Sequence, residues 1–462
     1  MATDSSQNSN SNFAGELAKN LVAGLAVSFV AVSLGAAFGI LSERGAFAGI
    51  LSAGIIALIT ALFGGTRIQT SGPTAPMTAV MVLIMAYALS TRQYAGNGLL
   101  EAIPGANPTQ FVNLVLILCG IILVIAAVCR LGRFIQLVPR VVISGFMSGI
   151  AILIWVDQTK KLFGIGGQDR VEGSLAVNMA VALAALLISF AVPMVTRRYL
   201  KRWASFVPPG TLVAIIVVTI VVQLVGVDIQ MVETEKVENT IAAWAAVVQK
   251  NAPTDWSIGL IWLATPFALQ LAMLCYLDTL LTSLVVDKKM TEKFGREERT
   301  KQNKELAAQG AGNAAVALVG GIPGAQATIR SVLILNEGAT WRIAGVAVGI
   351  FALVEMLIFQ DYISAIPVAV FTGILFKVGY DVFDWEPCVI YIKQLLGKRD
   401  PLGLYDVGHR EMFFIAGTAA VTLVRDLNTA VVLFTVLFYV VRLKFTIPDL
   451  EPAETVGAVK ED

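Results

Sequence analysis

Histidine is almost missing from this chain: His409 is the single one among 462 residues. That scarcity argues against a histidine metal centre or a Ser-His-Asp triad as a catalytic core. Charge is scarce too, with Asp, Glu, Lys and Arg at 15% against roughly 25% in a soluble domain. Cysteine is limited to Cys119, Cys129, Cys275 and Cys388, and none forms a C-x-x-C pair. Neither a zinc site nor a disulfide framework is readable from that spacing. The formal net charge is only +1, and no basic cluster is interleaved with aromatics, which argues against nucleic acid as a partner. No constellation for enzymatic chemistry stands out, so the chain does not read as an enzyme. Also absent is a basic-then-apolar leader with a small-residue cleavage site, so the first apolar run reads as a true span.

Apolar residues fill the space that charge leaves. They make up 56% of the chain, and the mean hydropathy is +0.75, which marks an integral membrane protein. A helix needs about 20 apolar residues to cross a bilayer. Stretches of that length fall at 20–41, 45–63, 108–128, 134–156, 174–195, 206–226, 259–286, 341–359, 410–425 and 428–443. Four more are short or interrupted, at 75–89, 305–319, 326–336 and 364–380. The expected architecture is therefore all-α and polytopic, with about fourteen transmembrane segments. Residues 1–15 are Ser/Asn-rich and read as a disordered tail. Residues 16–226 form a first set of seven segments and 258–444 a second, separated by a mostly polar extracytoplasmic loop at 227–257. Residues 445–462 form a cytoplasmic C-terminal tail.

With the N-terminus inside, Lys and Arg divide 19 to 8 in favour of the cytoplasmic loops, as the positive-inside rule requires. Both termini are expected in the cytoplasm, and the chain in the plasma (inner) membrane. Because seven is odd, the second half must be inverted relative to the first, giving a 7+7 inverted repeat. The third segment of each half is broken in the same way. The first carries T-S-G-P-T-A-P-M-T at 70–78, and the second carries G-G-I-P-G-A-Q-A-T-I-R at 320–330. Inverted repeats with interrupted helices at matching positions are a pattern of secondary transporters. A Pro kink alone is tolerated in a membrane helix; two breaks of equal rank point to a site.

If each segment is extended and then helical, each helix starts near mid-membrane. Its first N–H groups lack intrahelical partners and carry the positive end of the dipole. Pro76 suits such a first turn, where its missing N–H costs nothing. Thr74, Thr78 and Thr328 add hydroxyl donors, and the small Ala75 and Ala327 leave the backbone accessible. Two such ends would form a site for a small oxyanion. Asp278 lies deep in L-A-M-L-C-Y-L-D-T-L-L-T-S-L-V-V-D, with Thr282 one turn on and on the same face. Those oxygens suit a hard cation. An ion pair with Arg330 and a proton carrier are the other readings of this aspartate. Glu355 is a further intramembrane charge without an assigned role.

These motifs resemble the SulP family of inorganic anion transporters. S-G-P-T-A-P-M at 71–77 is similar to the family's third segment, and D-T-L-L-T-S at 278–283 to its eighth. N-K-E-L-A-A-Q-G-A-G-N at 303–313 and G-G-I-P-G-A-Q-A-T-I-R-S at 320–331 resemble its ninth and tenth. The resemblance implies a UraA/SulP-like fold, with a core of segments 1–4 and 8–11, a gate of segments 5–7 and 12–14, and short broken segments 3 and 10. It implies transport of bicarbonate, sulfate, chloride or related anions by an elevator-like motion, usually as a homodimer. Many members carry Glu where Asp278 stands; Asp followed by Thr one turn later resembles the sodium-coupled bicarbonate transporters of cyanobacteria. By that resemblance Asp278, Thr282, Gln326, Ala327 and Thr328 surround a coupling sodium ion. Thr74, Ala75, Ala327, Thr328 and Arg330 face the anion, and no other cofactor is implied. Gln326 departs from the small residue expected at its position. Most members carry a cytoplasmic STAS domain after the last span, and none is expected in the roughly 18 acidic, Pro-containing residues after Lys444. The expectation is a sodium–bicarbonate symporter. The alternatives are a sulfate or other anion transporter coupled to protons or sodium, an anion channel, or a nucleobase transporter. The nucleobase reading is weakened because segment ten offers no second carboxylate.

Overall fold

A computed structural model of the chain describes residues 4–89, 98–165, 170–199, 209–232, 240–295, 297–397, 407–425, 427–443 and 450. The first half contains α1 (Asp4–Leu41), α2 (Ala46–Phe63), β1 (Ser71–Pro73), α3 (Ala75–Ala88), α4 (Leu99–Ala102), α5 (Pro108–Val128), α6 (Arg140–Phe163), α7 (Leu175–Tyr199) and α8 (Gly210–Val225). After α9 (Ile241–Asn251) come α10 (Ile258–Phe294), α11 (Gln302–Ala317), β2 (Gly324–Gln326), α12 (Thr328–Asn336), α13 (Ile343–Ile363), α14 (Val368–Val382), α15 (Trp385–Leu395), α16 (His409–Val424) and α17 (Leu427–Arg442). A helix stands at each of the fourteen expected segments. Seven of them, among the described residues, are long and apolar enough to cross a membrane unaided.

Three expectations need correction. The helix α1 begins at Asp4, so residues 4–15 are helical instead of a loose tail; once a helix is nucleated, each further residue adds one hydrogen bond. The segment expected at 134–156 is α6, shifted to Arg140–Phe163. Pro139 marks its start, with its carbonyl accepting from Val142 and Ile143, as befits a residue that favours a helix entry over an interior. The polar loop at 227–257 contains α9 and two isolated bridges, Gly173 with Ile229 and Met231 with Pro367. Of the C-terminal tail, 445–449 and 451–462 lie outside the described residues.

The chain divides into two compact units. The larger (Met1–Arg133 and Gln158–Lys377) holds α1–α5 and α10–α13, and also α7, α8, α9 and most of α14. The tie to α8 includes a buried hydrogen bond between the Ser33 and Thr211 hydroxyls, 2.9 Å long. Its core is alanine-rich, with Ala23, Ala31, Ala53, Ala57 and Ala344 around Val27, Val348 and Ile334. Small residues let membrane helices approach closely where lipid supplies no hydrophobic drive. The smaller unit (Phe134–Asp157 and Val378–Asp462) is aromatic instead. Trp155 stacks on Phe383 at 5.9 Å, and Phe414 meets Phe434 and Phe438 edge-on.

Two short strands organise the larger unit. β1 and β2 pair antiparallel, with Ser71 opposite Gln326, Gly72 opposite Ala325 and Pro73 opposite Gly324. A two-stranded ribbon is all edge, which is where Pro73 can sit without removing a needed donor. Gly72 has φ 151 and faces the Arg330 guanidinium. A Cβ on Gly324 would collide with the Gly72 backbone and the Pro73 nitrogen. Gly324→Ala is therefore expected to force the strands apart, at the roughly 1–3 kcal/mol of core overpacking. A lower melting temperature in detergent, with uptake lost, is the expected result; wild-type behaviour would refute the close approach.

The two halves brace each other reciprocally. Arg44, just before α2, donates to the Gly321 carbonyl on the approach to β2. Glu305, near the start of α11, accepts from the Gly65 and Thr66 amides on the approach to β1, at 2.8 and 2.9 Å. Further along these helices, Ser52 accepts from the Ile322 amide at 2.7 Å, and Gln309 donates to the Ser71 hydroxyl at 2.7 Å. Asn313 takes both backbone groups of Gly324, accepting from its N–H and donating to its carbonyl, each at 2.9 Å. Every polar group that the broken segments expose is costly in a bilayer unless partnered, and these side chains supply the partners.

Candidate functional site

The helix α3 has 14 residues and α12 has nine, so they reach only about 21 and 14 Å of a layer about 30 Å thick. Both therefore start inside the protein. The first bond of α3 runs from the Thr78 amide to the Thr74 carbonyl at 3.0 Å. It leaves the N–H groups of Ala75 and Met77 without intrahelical acceptors, and Pro76 has none to lose. In α12 the first bond runs from the Ser331 amide to the Ala327 carbonyl at 2.9 Å, which leaves Thr328, Ile329 and Arg330. Antiparallel strands send the two helices away in opposite directions. Their positive ends thus converge on the strand pair, and converging N-termini attract an anion.

α10 runs past both ends, and two of its polar residues each reach one. The Thr74 hydroxyl, on the N-cap of α3, donates to Asp278 Oδ2 at 2.7 Å. One turn on, the Thr282 hydroxyl contacts that of Thr328, the first residue of α12, at 2.6 Å. Thr282 is 2% exposed and Thr74 8%, while Asp278, Ala327 and Thr328 are half-buried. Four of the expected site residues thus form one group of oxygens on a single face of α10, with one negative charge among them. Ala75 and Ala327 present backbone at the two helix starts, as their small side chains allow.

Two other expected residues are placed differently. Gln326 is buried, and its side-chain oxygen accepts from Thr66 at 3.5 Å in the loop before β1. Its backbone amide donates to Thr279, next to Asp278, at 3.3 Å. The side chain therefore serves the strand approach and is not linked to the Asp278 carboxylate. Arg330 is 1% exposed and donates to the Pro73 carbonyl at 2.9 Å, crossing from one broken segment to the other. Its Nη1 has no hydrogen-bond partner, and it makes no ion pair with Asp278 among the described residues. The ion-pair reading of that aspartate thus lacks its contact. Glu355 lies elsewhere, between α13 and α1, accepting from the Ser28 hydroxyl at 2.6 Å.

The residues that hold the site in shape were not singled out from the sequence. Glu305, Gln309 and Asn313 line one stripe of α11 and are all fully buried. Their i, i+4, i+8 spacing in a membrane segment was the available signal, since residues four apart share a helix face.

The profile of the sulfate permease family matches residues 17–398. The bicarbonate transporter BicA of Picosynechococcus is 30% identical over 380 residues, which are 79% of this chain and 62% of that relative's length. A putative sulfate transporter of Bacillus subtilis, YvdB, is 26% identical over 424 residues, covering 88% of this chain and 70% of its own. Among solved structures, the transmembrane domain of a cyanobacterial BicA superimposes with a TM-score of 0.69 at 27% identity. That match covers 90% of this chain and 97% of the solved one. With a family profile matched along most of its length, and two broken helices meeting at a shared polar site, the chain belongs to the sulfate permease family.

Proposed function

We propose that this protein is a sodium-coupled symporter of bicarbonate, working by an elevator-type motion as a homodimer, with both termini cytoplasmic in the plasma membrane. One observation carries the reading: the Asp278 carboxylate sits against the start of α3, one turn from the hydroxyl pair at the start of α12. Anion-attracting helix ends and a cation-attracting carboxylate share one place. Sodium is cargo here, taken by Asp278, Thr282 and Thr328 with backbone oxygen near Ala327. The anion takes the free amides at Ala75 and Thr328 beside Thr74, whose hydroxyl proton is held by Asp278, and Arg330 supplies positive charge from behind the strands.

Charge balance supports coupling. The empty aspartate carries −1; with one sodium ion and one monovalent anion it still carries −1. An anion moved alone would work against about 2.3 kcal/mol per 100 mV, whereas the loaded and empty sites here respond equally. The name of the cyanobacterial relative favours bicarbonate; that of the Bacillus relative keeps sulfate as the second reading. Labelled bicarbonate uptake into proteoliposomes, with and without an inward sodium gradient and with sulfate as competitor, tests both. Sodium-stimulated uptake that sulfate leaves untouched is expected. Uptake indifferent to sodium would refute the coupling, and strong sulfate competition would favour the second reading.

A further inference from the structure

A cavity of about 780 Å³ opens at the α1–α2 end of the larger unit, and Asp278 is not among its lining residues. Its lining includes Glu43, Arg44, Thr109, Gln230, Lys250 and Asn251. Arg44 is half-buried, and among the described residues its guanidinium meets only neutral acceptors: Asn113 Oδ1 at 2.7 Å, the Gly321 carbonyl at 3.2 Å and the Thr109 carbonyl at 3.3 Å. Those bonds use three of its five N–H groups. The Nε–H and one Nη2–H have no acceptor among the described residues. Among the described residues no carboxylate pairs with it; the neighbouring Glu43 is engaged by Lys161 at 3.8 Å. Of the charged residues that line the cavity, Arg44 and Lys250 are positive and Glu43 is negative. Burial draws the Arg44 group down to about 10, which still leaves it fully charged at neutral pH.

A partly desolvated charge with no counter-charge is unfavourable until an anion supplies one. A guanidinium edge with two free donors matches the oxygens of a planar or tetrahedral oxyanion in bidentate fashion. We propose that this cavity is a second oxyanion site, anchored on Arg44 and aided by Lys250, where the anion loads before reaching the start of α3. Its assignment as a loading site rests on the transport reading above; the site itself rests on the Arg44 geometry. Met85 at the cavity wall belongs to the same helix α3 whose first turn faces Asp278, so the cavity lies along the outer half of that helix.

Selenate is a suitable probe, being an oxyanion with an anomalous scatterer. Crystals of the full chain soaked in selenate should show an anomalous peak beside Arg44, and the peak should persist in Asp278→Asn, whose central site is damaged. It should vanish in Arg44→Gln, and the uptake half-saturation constant should rise about tenfold. Arg44 also braces Gly321, so Lys250→Gln serves as the second variant, with a weakened peak expected. Absence of a peak beside Arg44, or a peak unchanged in Arg44→Gln or Lys250→Gln, would overturn the site. Failure of sodium-driven bicarbonate uptake would leave the peak in place and so remove only the transport reading.

Discussion

Asp278→Asn is expected to abolish the sodium dependence of uptake while leaving the protein folded. Asn has the shape of Asp, and its side-chain oxygen can still accept from Thr74, so the contact at the start of α3 survives. What disappears is the one negative charge in the group of oxygens. A charge-assisted ligand contributes roughly 3 kcal/mol, which corresponds to about a hundredfold in affinity. The sodium concentration for half-maximal uptake should rise beyond the measurable range. Uptake across a sodium titration, paired with a melting curve in detergent, separates this from misfolding. A variant that keeps wild-type sodium dependence would move the coupling ion away from α10.

The second large effect is on stability. Glu305 is fully buried and accepts four hydrogen bonds: from the Gly65 and Thr66 amides and from Gln69 and Gln309 Nε2 at 2.8 and 3.0 Å. Glu305→Ala leaves four donors unpaired, three of them on buried residues. At about 1–3 kcal/mol for each, the loss approaches the whole net stability of a typical protein, roughly 5–15 kcal/mol. The expected outcome is no monodisperse peak on size exclusion after mild heating. Glu305→Gln should be intermediate, because its amide keeps one oxygen for the backbone pair but turns a donor toward Gln69 and Gln309. A thermally robust Glu305→Ala would show that α11 does not hold the approach to β1.

The spans were legible because hydropathy over about 20 residues is a strong signal, and the broken third segments because Gly and Pro have few other uses inside a membrane. Asp278 and Thr282 stood out as polar residues one turn apart in an apolar run. The strands were not legible: three residues such as Gly-Ala-Gln carry no alternation, and their pairing is imposed from 250 residues away in sequence. Gln326 is placed at the cation only by the family resemblance. Along a strand, neighbouring side chains take opposite faces, and its own turns to Thr66. Glu305 was visible within a recognised motif, yet nothing local says that its partners lie in the loop after α2. The helix α9 was hidden in a polar loop because its 11 residues fall below the length that hydropathy detects.

The pairing of β1 with β2 also limits how the protein can move. One strand comes from each repeat, and Arg330 and the Ala327 amide add stitches to the Pro73 and Thr70 carbonyls. A rocking cycle that parted the repeats along this seam would strip those groups bare in a medium where each costs several kcal/mol, and would pull the cargo's own ligands apart. The seam behaves like a rivet: ions held there stay with both repeats at once. On the proposed transport reading, access changes by shifting the riveted body whole, or by moving other helices around it.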